Sequence, residues 1–121
     1  MGIQRINPSP RWSDVTIFNE TAYFVEVAAD SSGDIHAQIS QVLTQAEQTL
    51  LGVGSDKSRI LSVTIYITDL KYLEVLIPLW ENWLPENSAP SRACIKVELV
   101  DPSLLLEIAF VAATNGVNNP N

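Results

Sequence analysis

Five side chains close together near the end of the chain could do chemistry: Arg92, Cys94, Lys96, Glu98 and Glu107. A guanidinium holds a carboxylate through two parallel hydrogen bonds, which an ammonium cannot copy. A carboxylate whose pKa is raised by partial burial can direct a water at a carbon and hand a proton to a leaving group. A thiol on a strand is most often a buried packing residue. No histidine neighbours Cys94 in the sequence to activate it, and the single histidine, His36, falls in a helix start where it reads as a surface residue.

Two segments must position these groups. Ser91 to Glu98 and Leu105 to Val111 both have the pattern of short strands, joined by a turn at Val100-Asp101-Pro102-Ser103. Alternation along an extended chain puts Arg92, Cys94, Lys96 and Glu98 on one face and Ala93, Ile95, Val97 and Leu99 on the other. Paired directly, the two strands bring Glu107 to the face of Arg92, nearer to Lys96. By residue type alone the favoured reading is a solvated sheet face with surface ion pairs.

The preceding chain supplies the other elements. Pro8 and Pro10 keep residues 1–12 out of helix, leaving a short extended segment and a turn. Asp14–Phe18 and Thr21–Val27 read as a hairpin turning at Asn19-Glu20. Ile35, Ile39, Val42, Leu43, Ala46 and Leu50 form one apolar stripe of a helix over 34–51, with Asp34 or Ser32 as its cap and Gly52 at its end. Arg59–Thr68 is the clearest strand, with Leu61, Val63, Ile65 and Ile67 on one face and Ser62, Thr64, Tyr66 and Thr68 on the other. Asp69 caps a second helix over 70–84 whose apolar side is Leu70, Leu73, Leu76, Ile77, Trp80 and Leu84. Pro78 predicts a kink or a broken first half. Two helices cover only one face of such a sheet. Ser62, Thr64, Tyr66, Cys94 and Val111 on the other face are too mixed for full solvation, which points to association. One domain over 1–113 and a disordered tail over 114–121 are expected.

Composition narrows the function. The chain has 121 residues, 46% of them hydrophobic, and a formal charge of −7. Only seven Lys and Arg are available, so no broad field for nucleic acid or an anionic membrane is expected. No apolar run reaches the length of a membrane span, and Asn7-Pro8-Ser9-Pro10 stands where a signal core would lie, so a cytoplasmic protein is expected. One Cys excludes an intramolecular disulfide, and one Cys with one His supplies metal ligands poorly. No Gly-rich phosphate loop is present, and no cofactor or metal is expected.

The run Ala89-Pro90-Ser91-Arg92-Ala93-Cys94 followed by Leu105-Leu106-Glu107-Ile108 resembles the C-terminal signature of the reactive intermediate deaminase (Rid, YjgF) family. The likeness extends over nearly the whole chain, including Lys57-Ser58-Arg59-Ile60 and Asp69-Leu70. The segment from Ile6 to Asp14, with Arg11-Trp12-Ser13-Asp14, is closer to a less characterised subgroup than to the deaminase archetype. The resemblance implies an α+β, chorismate mutase-like fold with a mixed sheet of about six strands and two helices on one face. It also implies a homotrimer with clefts at the subunit interfaces. Arg92 would hold the carboxylate of a small 2-imino acid, and Glu107 would position or activate water. Cys94 would form pocket wall, and Trp12 would stand at the rim, where deaminating members commonly have Tyr. The competing readings are an interfacial ion pair for Arg92, a strand-face pair with Lys96 for Glu107, and an apolar lid over the sheet edge for Trp12.

Two departures bear on this. Val25-Glu26 stands where deaminating members have Ser-Gly, and Ile77 where many carry Asn. A Glu26 pointing into the cleft would repel a carboxylate. A slip of one residue would turn it away. The expected function is hydrolysis of 2-imino or 2-enamino acids to 2-keto acids and ammonia without a cofactor. The alternatives are a non-enzymatic binder of small carboxylate metabolites and a trimeric interaction protein that has lost the site. RNA cleavage, linked to some relatives, has little support from the acidic composition.

Overall fold

The computed structural model describes residues 2–114. Its strands are β1 (Gln4–Ile6), β2 (Val15–Phe18), β3 (Thr21–Glu26), β4 (Ile60–Ile67), β5 (Ser91–Lys96) and β6 (Leu106–Ala113). Its helices are α1 (Ile35–Gly52) and α2 (Leu73–Trp83). The strands form one sheet in the order β1-β2-β3-β6-β4-β5. Every pairing is antiparallel except β4 with β5, which are parallel and joined through α2. This is the expected mixed six-stranded α+β architecture.

Local chemistry explains the elements. Asn19 and Glu20 both have positive φ, 54° and 59°, the backbone of a tight hairpin turn whose twist suits its strands. Asp34 caps α1 by accepting a hydrogen bond from the Ala37 N–H at 2.9 Å. Asp69 also caps, but it caps a 3₁₀ turn over Leu70–Tyr72 through the Lys71 N–H at 3.0 Å. The broken first half of the second helix lies in that turn, and α2 runs on through Pro78.

The core lies between the helices and one sheet face. Ile39, Val42, Ala46 and Leu50 from α1 and Leu76 and Trp80 from α2 are buried against Phe24, Val63, Ile65, Ile67, Ile108 and Phe110. Phe24 and Phe110, directly opposite on neighbouring strands, stack with centroids 4.9 Å apart. Three expectations change. Leu61 is 51% exposed because the β4–β6 register shifts between Ile60 and Ser62, and Ile60 takes the core position instead. Leu70 and Ile77 are exposed, since α2 starts later and rests on Leu76 and Trp80. Thr114, expected in the tail, is buried, and its N–H donates to the Glu20 carbonyl at 2.9 Å. The remaining tail, 115–121, lies outside the described residues.

Candidate functional site

The strands bearing Arg92 and Glu107 are not neighbours. β4 lies between β5 and β6, so the expected direct hairpin does not form. A connection through Val97–Leu105 carries the chain past β4, and β6 pairs with β3 on its far side. The register then decides the faces. Arg92 is opposite Val63, and Val63 is opposite Phe110, which puts Arg92 on the helix side. Glu107 is opposite Tyr66, and Tyr66 is opposite Ile95, which puts Glu107 on the open side. Within one chain the two groups therefore face opposite ways, and the expectation of a shared face is corrected. The strand alternation itself stands. The omitted fact was the strand inserted between them.

Arg92 is exposed on the edge strand and borders a cleft of about 520 Å³. The C-terminal part of α2 and the following turn form the rest of its wall, including Ile77, Trp80, Leu84 and Pro85. Ile77, noted above as a departure, thus shares a wall with Arg92. Among the described residues no carboxylate lies within ion-pair distance of the guanidinium. Cys94 was expected outward, on the open face. It lies opposite Ile65, half-buried against the core, because β5 turns its even-numbered residues toward the helices. It lines none of the clefts described here.

Glu107 and Trp12 border a second, larger cleft of about 860 Å³ around the β2–β3 end of the sheet. Trp12 is 64% exposed and Glu107 half-buried. The Ser9 hydroxyl, which accepts from the Trp12 N–H at 3.2 Å and donates to its carbonyl at 2.9 Å, fixes the backbone that presents Trp12. Tyr23, Val25, Ala109 and Val111 supply the floor. Glu26 borders this cleft too, but it is opposite Ile108 and so turns toward α1. Its carboxylate accepts from Gln45 Nε2 at 3.1 Å and from the Thr49 hydroxyl at 2.8 Å. Those two neutral donors hold the carboxylate toward α1 and leave its negative charge in place.

Gln38 was missed by the sequence reading, because an apolar stripe gives no reason to bury a glutamine. It is fully buried in the first turn of α1. Its side chain ties the loop before α1 to the turn before β6. Among the described residues no group of His, Cys, Asp and Glu could hold a metal ion, and no helix is long and apolar enough to cross a membrane.

Residues 2–114 match the profile of a family described as Endoribonuclease L-PSP. A RutC family protein of Haemophilus ducreyi is 38% identical over 114 residues, covering 93% of this chain and 97% of that one. The 3-aminoacrylate deaminase RutC of Acinetobacter baylyi is 31% identical over 80 residues, 66% of this chain and 63% of its own length. Among solved structures, an uncharacterised protein from Pseudomonas aeruginosa superposes with a TM-score of 0.90 at 37% identity, covering 93% of this chain and 99% of its own. A member of the YjgF protein family from Neisseria meningitidis superposes with a TM-score of 0.89 at 27% identity, covering 94% and 96%.

Proposed function

The chain belongs to the Rid (YjgF) family, and from that premise we propose that it is a hydrolytic deaminase of small 2-imino or 2-enamino acids. Water adds to the imine carbon, the carbon–nitrogen bond breaks, and the products are a 2-keto acid and ammonia. Arg92 clamps the substrate carboxylate through its planar fork. Glu107 directs the water and carries the proton to the departing nitrogen. Trp12 supplies a stacking wall, and Cys94 packs beneath the strand that carries Arg92.

The observation that carries this reading is the state of the two groups. Arg92 is exposed beside a cleft with no ion-pair partner among the described residues, and Glu107 is half-buried in a cleft with an exposed tryptophan. Their opposite facing in one chain supports a reaction shared between copies of a homotrimer. One chain supplies Arg92 from its edge strand, and its neighbour supplies Glu107 and Trp12 from its open face. Exposed Tyr23, Val25 and Ile95 on that open face support burial against another copy. The relative named as a 3-aminoacrylate deaminase supports the reaction class. The word endoribonuclease in the family description finds less support, since 14 acidic residues outnumber seven basic ones. The cytoplasm is the proposed location.

A second reading keeps the cleft without the chemistry: a binder of small carboxylate metabolites. Ile77 favours it, because an apolar side chain beside Arg92 contributes no hydrogen bond to a reacting nitrogen. The test is turnover of freshly generated 2-iminopropanoate and 2-iminobutanoate by the wild type and by Arg92→Ala and Glu107→Ala. Acceleration lost in both variants is expected. A folded trimer without acceleration leaves the binder, and full activity in Arg92→Ala removes both readings. Sedimentation showing a stable monomer would remove the shared cleft.

A further inference from the structure

Gln38 has none of its surface exposed, and its whole amide is paired. Its Nε2 donates toward three carbonyls: Ser31 at 3.1 Å, Gly33 at 3.2 Å and Ser103 at 2.9 Å. Its Oε1 accepts from the Leu105 N–H at 2.9 Å. Two N–H bonds serve three acceptors, so one is shared. The Leu105 carbonyl is held as well, by the Thr68 N–H at 3.1 Å and the Thr68 hydroxyl at 3.3 Å. Both backbone groups of Leu105 are thus fixed from different elements, one from α1 and one from the end of β4, immediately before β6 begins at Leu106.

Glu107 follows two positions later, on the same side of the extended chain as Leu105. A slip of β6 by one residue would carry the Glu107 carboxylate from the open face to the helix-covered face. We infer that Gln38 is a positioning residue for Glu107: its buried amide sets the register at which β6 starts and so holds that carboxylate in its cleft. The chemistry assigned to Glu107 rests on the deaminase reading, whereas the clamp itself does not. Among side chains of this length only an amide serves. A glutamate offers no N–H to the three carbonyls, and a methionine neither donates nor accepts well.

The experiment compares the full-length wild type with Gln38→Met, Gln38→Asn and a control, Leu50→Val, which lightens the core at the far end of α1 where Leu50 is fully buried. Gln38→Asn keeps a buried amide near the Ser31 and Gly33 carbonyls but is too short to reach Leu105. Amide hydrogen exchange is read at Leu105 and at Phe110 in the middle of β6, together with kcat and KM on 2-iminobutanoate. In both Gln38 variants the Leu105 amide is expected to exchange at least about tenfold faster relative to Phe110, as local opening requires. Their kcat is expected to fall with KM little changed, since Arg92 is untouched. The control should speed both amides together and leave kcat alone. Leu105 and Phe110 rising equally in the Gln38 variants, or an unchanged kcat, would overturn the inference. So would failure of both Gln38 variants to fold, which would make the amide purely structural. A wild type without turnover defeats the deaminase reading only, and exchange at Leu105 then decides the clamp by itself.

Discussion

Replacing Arg92 by lysine separates recognition from folding. Arg92 is exposed on an edge strand and has no ion-pair partner among the described residues. Substitutions at such positions usually change stability by no more than about 0.5 kcal/mol. In the proposed site the guanidinium makes two parallel bonds to a carboxylate, and a lysine keeps the charge but makes one. A hydrogen bond to a charged group contributes about 1.5–3 kcal/mol, so losing one lowers kcat/KM by roughly 30-fold, taking about 2 kcal/mol. Alanine loses both, and about 4 kcal/mol corresponds to roughly a thousandfold. The carboxylate is bound alike in substrate and transition state, so most of the loss should fall on KM. Steady-state kinetics on 2-iminobutanoate beside urea unfolding measures both quantities. An Arg92→Lys protein within about twofold of wild-type kcat/KM would refute the clamp. A stability loss above about 2 kcal/mol would show that the guanidinium is part of the fold instead.

Glu107→Gln should lower kcat by about 10²–10⁴-fold, the usual contribution of a positioned acid–base group, with little change in KM. Glu20→Gly should raise stability by about 1 kcal/mol in urea unfolding, because Glu20 holds a φ of 59° that glycine adopts without strain. Gly33→Ala should cost about 1–3 kcal/mol in the same assay, since the added Cβ would stand 2.7 Å from the Ala37 Cβ and the cap of α1 must shift. The Ser103 hydroxyl, and then its N–H, hold the Asp101 carboxyl below its ordinary value of 3.8. A carboxyl lower in the folded than in the unfolded chain stabilises above the unfolded value and stops doing so as pH falls through the folded one. The stability difference between wild type and Asp101→Ala should therefore be present at about pH 5 and shrink toward pH 2, and a difference that grows on acidification would contradict it.

The elements were legible because each rests on local rules. The α1 stripe, the Asp34 cap and the Asn19-Glu20 turn all follow from spacing and residue type, and the structure keeps them. What was not legible depends on non-local pairing. The Val100–Ser103 turn suggested a hairpin, yet β4 enters between β5 and β6, and nothing near residue 100 encodes that. The register shift at Leu61 is of the same kind, since strict alternation gives no sign of an extra residue. Gln38 is a third case. A polar residue in the first turn of a helix reads as solvated unless the loops that will need its amide are known. For the site, the residue types could be read and the facing could not. Glu26 shows this most directly: its turn toward α1 follows from its pairing with Ile108, and the donors that hold it there, Gln45 and Thr49, lie nearly twenty and more positions away.

The inserted strand has a consequence for how the site and the assembly are linked. A motif contiguous in sequence is divided between two faces of one sheet, with Arg92 toward the helices at an edge and Glu107 on the open side. Neither half can reach the other around β4 without unfolding the sheet, so no motion within one chain completes the constellation. On the proposed reading a neighbouring copy would, because an edge strand laid beside another open face would present its residues to that face. The same contact would cover Tyr23, Val25 and Ile95, which are about half exposed in the single chain and costly to leave in water. Burial of apolar surface would then supply the driving force, and the charged pair would supply the chemistry at its margin. On the proposed reading, selection for a soluble open face and selection for a complete site act on one interface. That accounts for a fold that leaves half its sheet bare of helices.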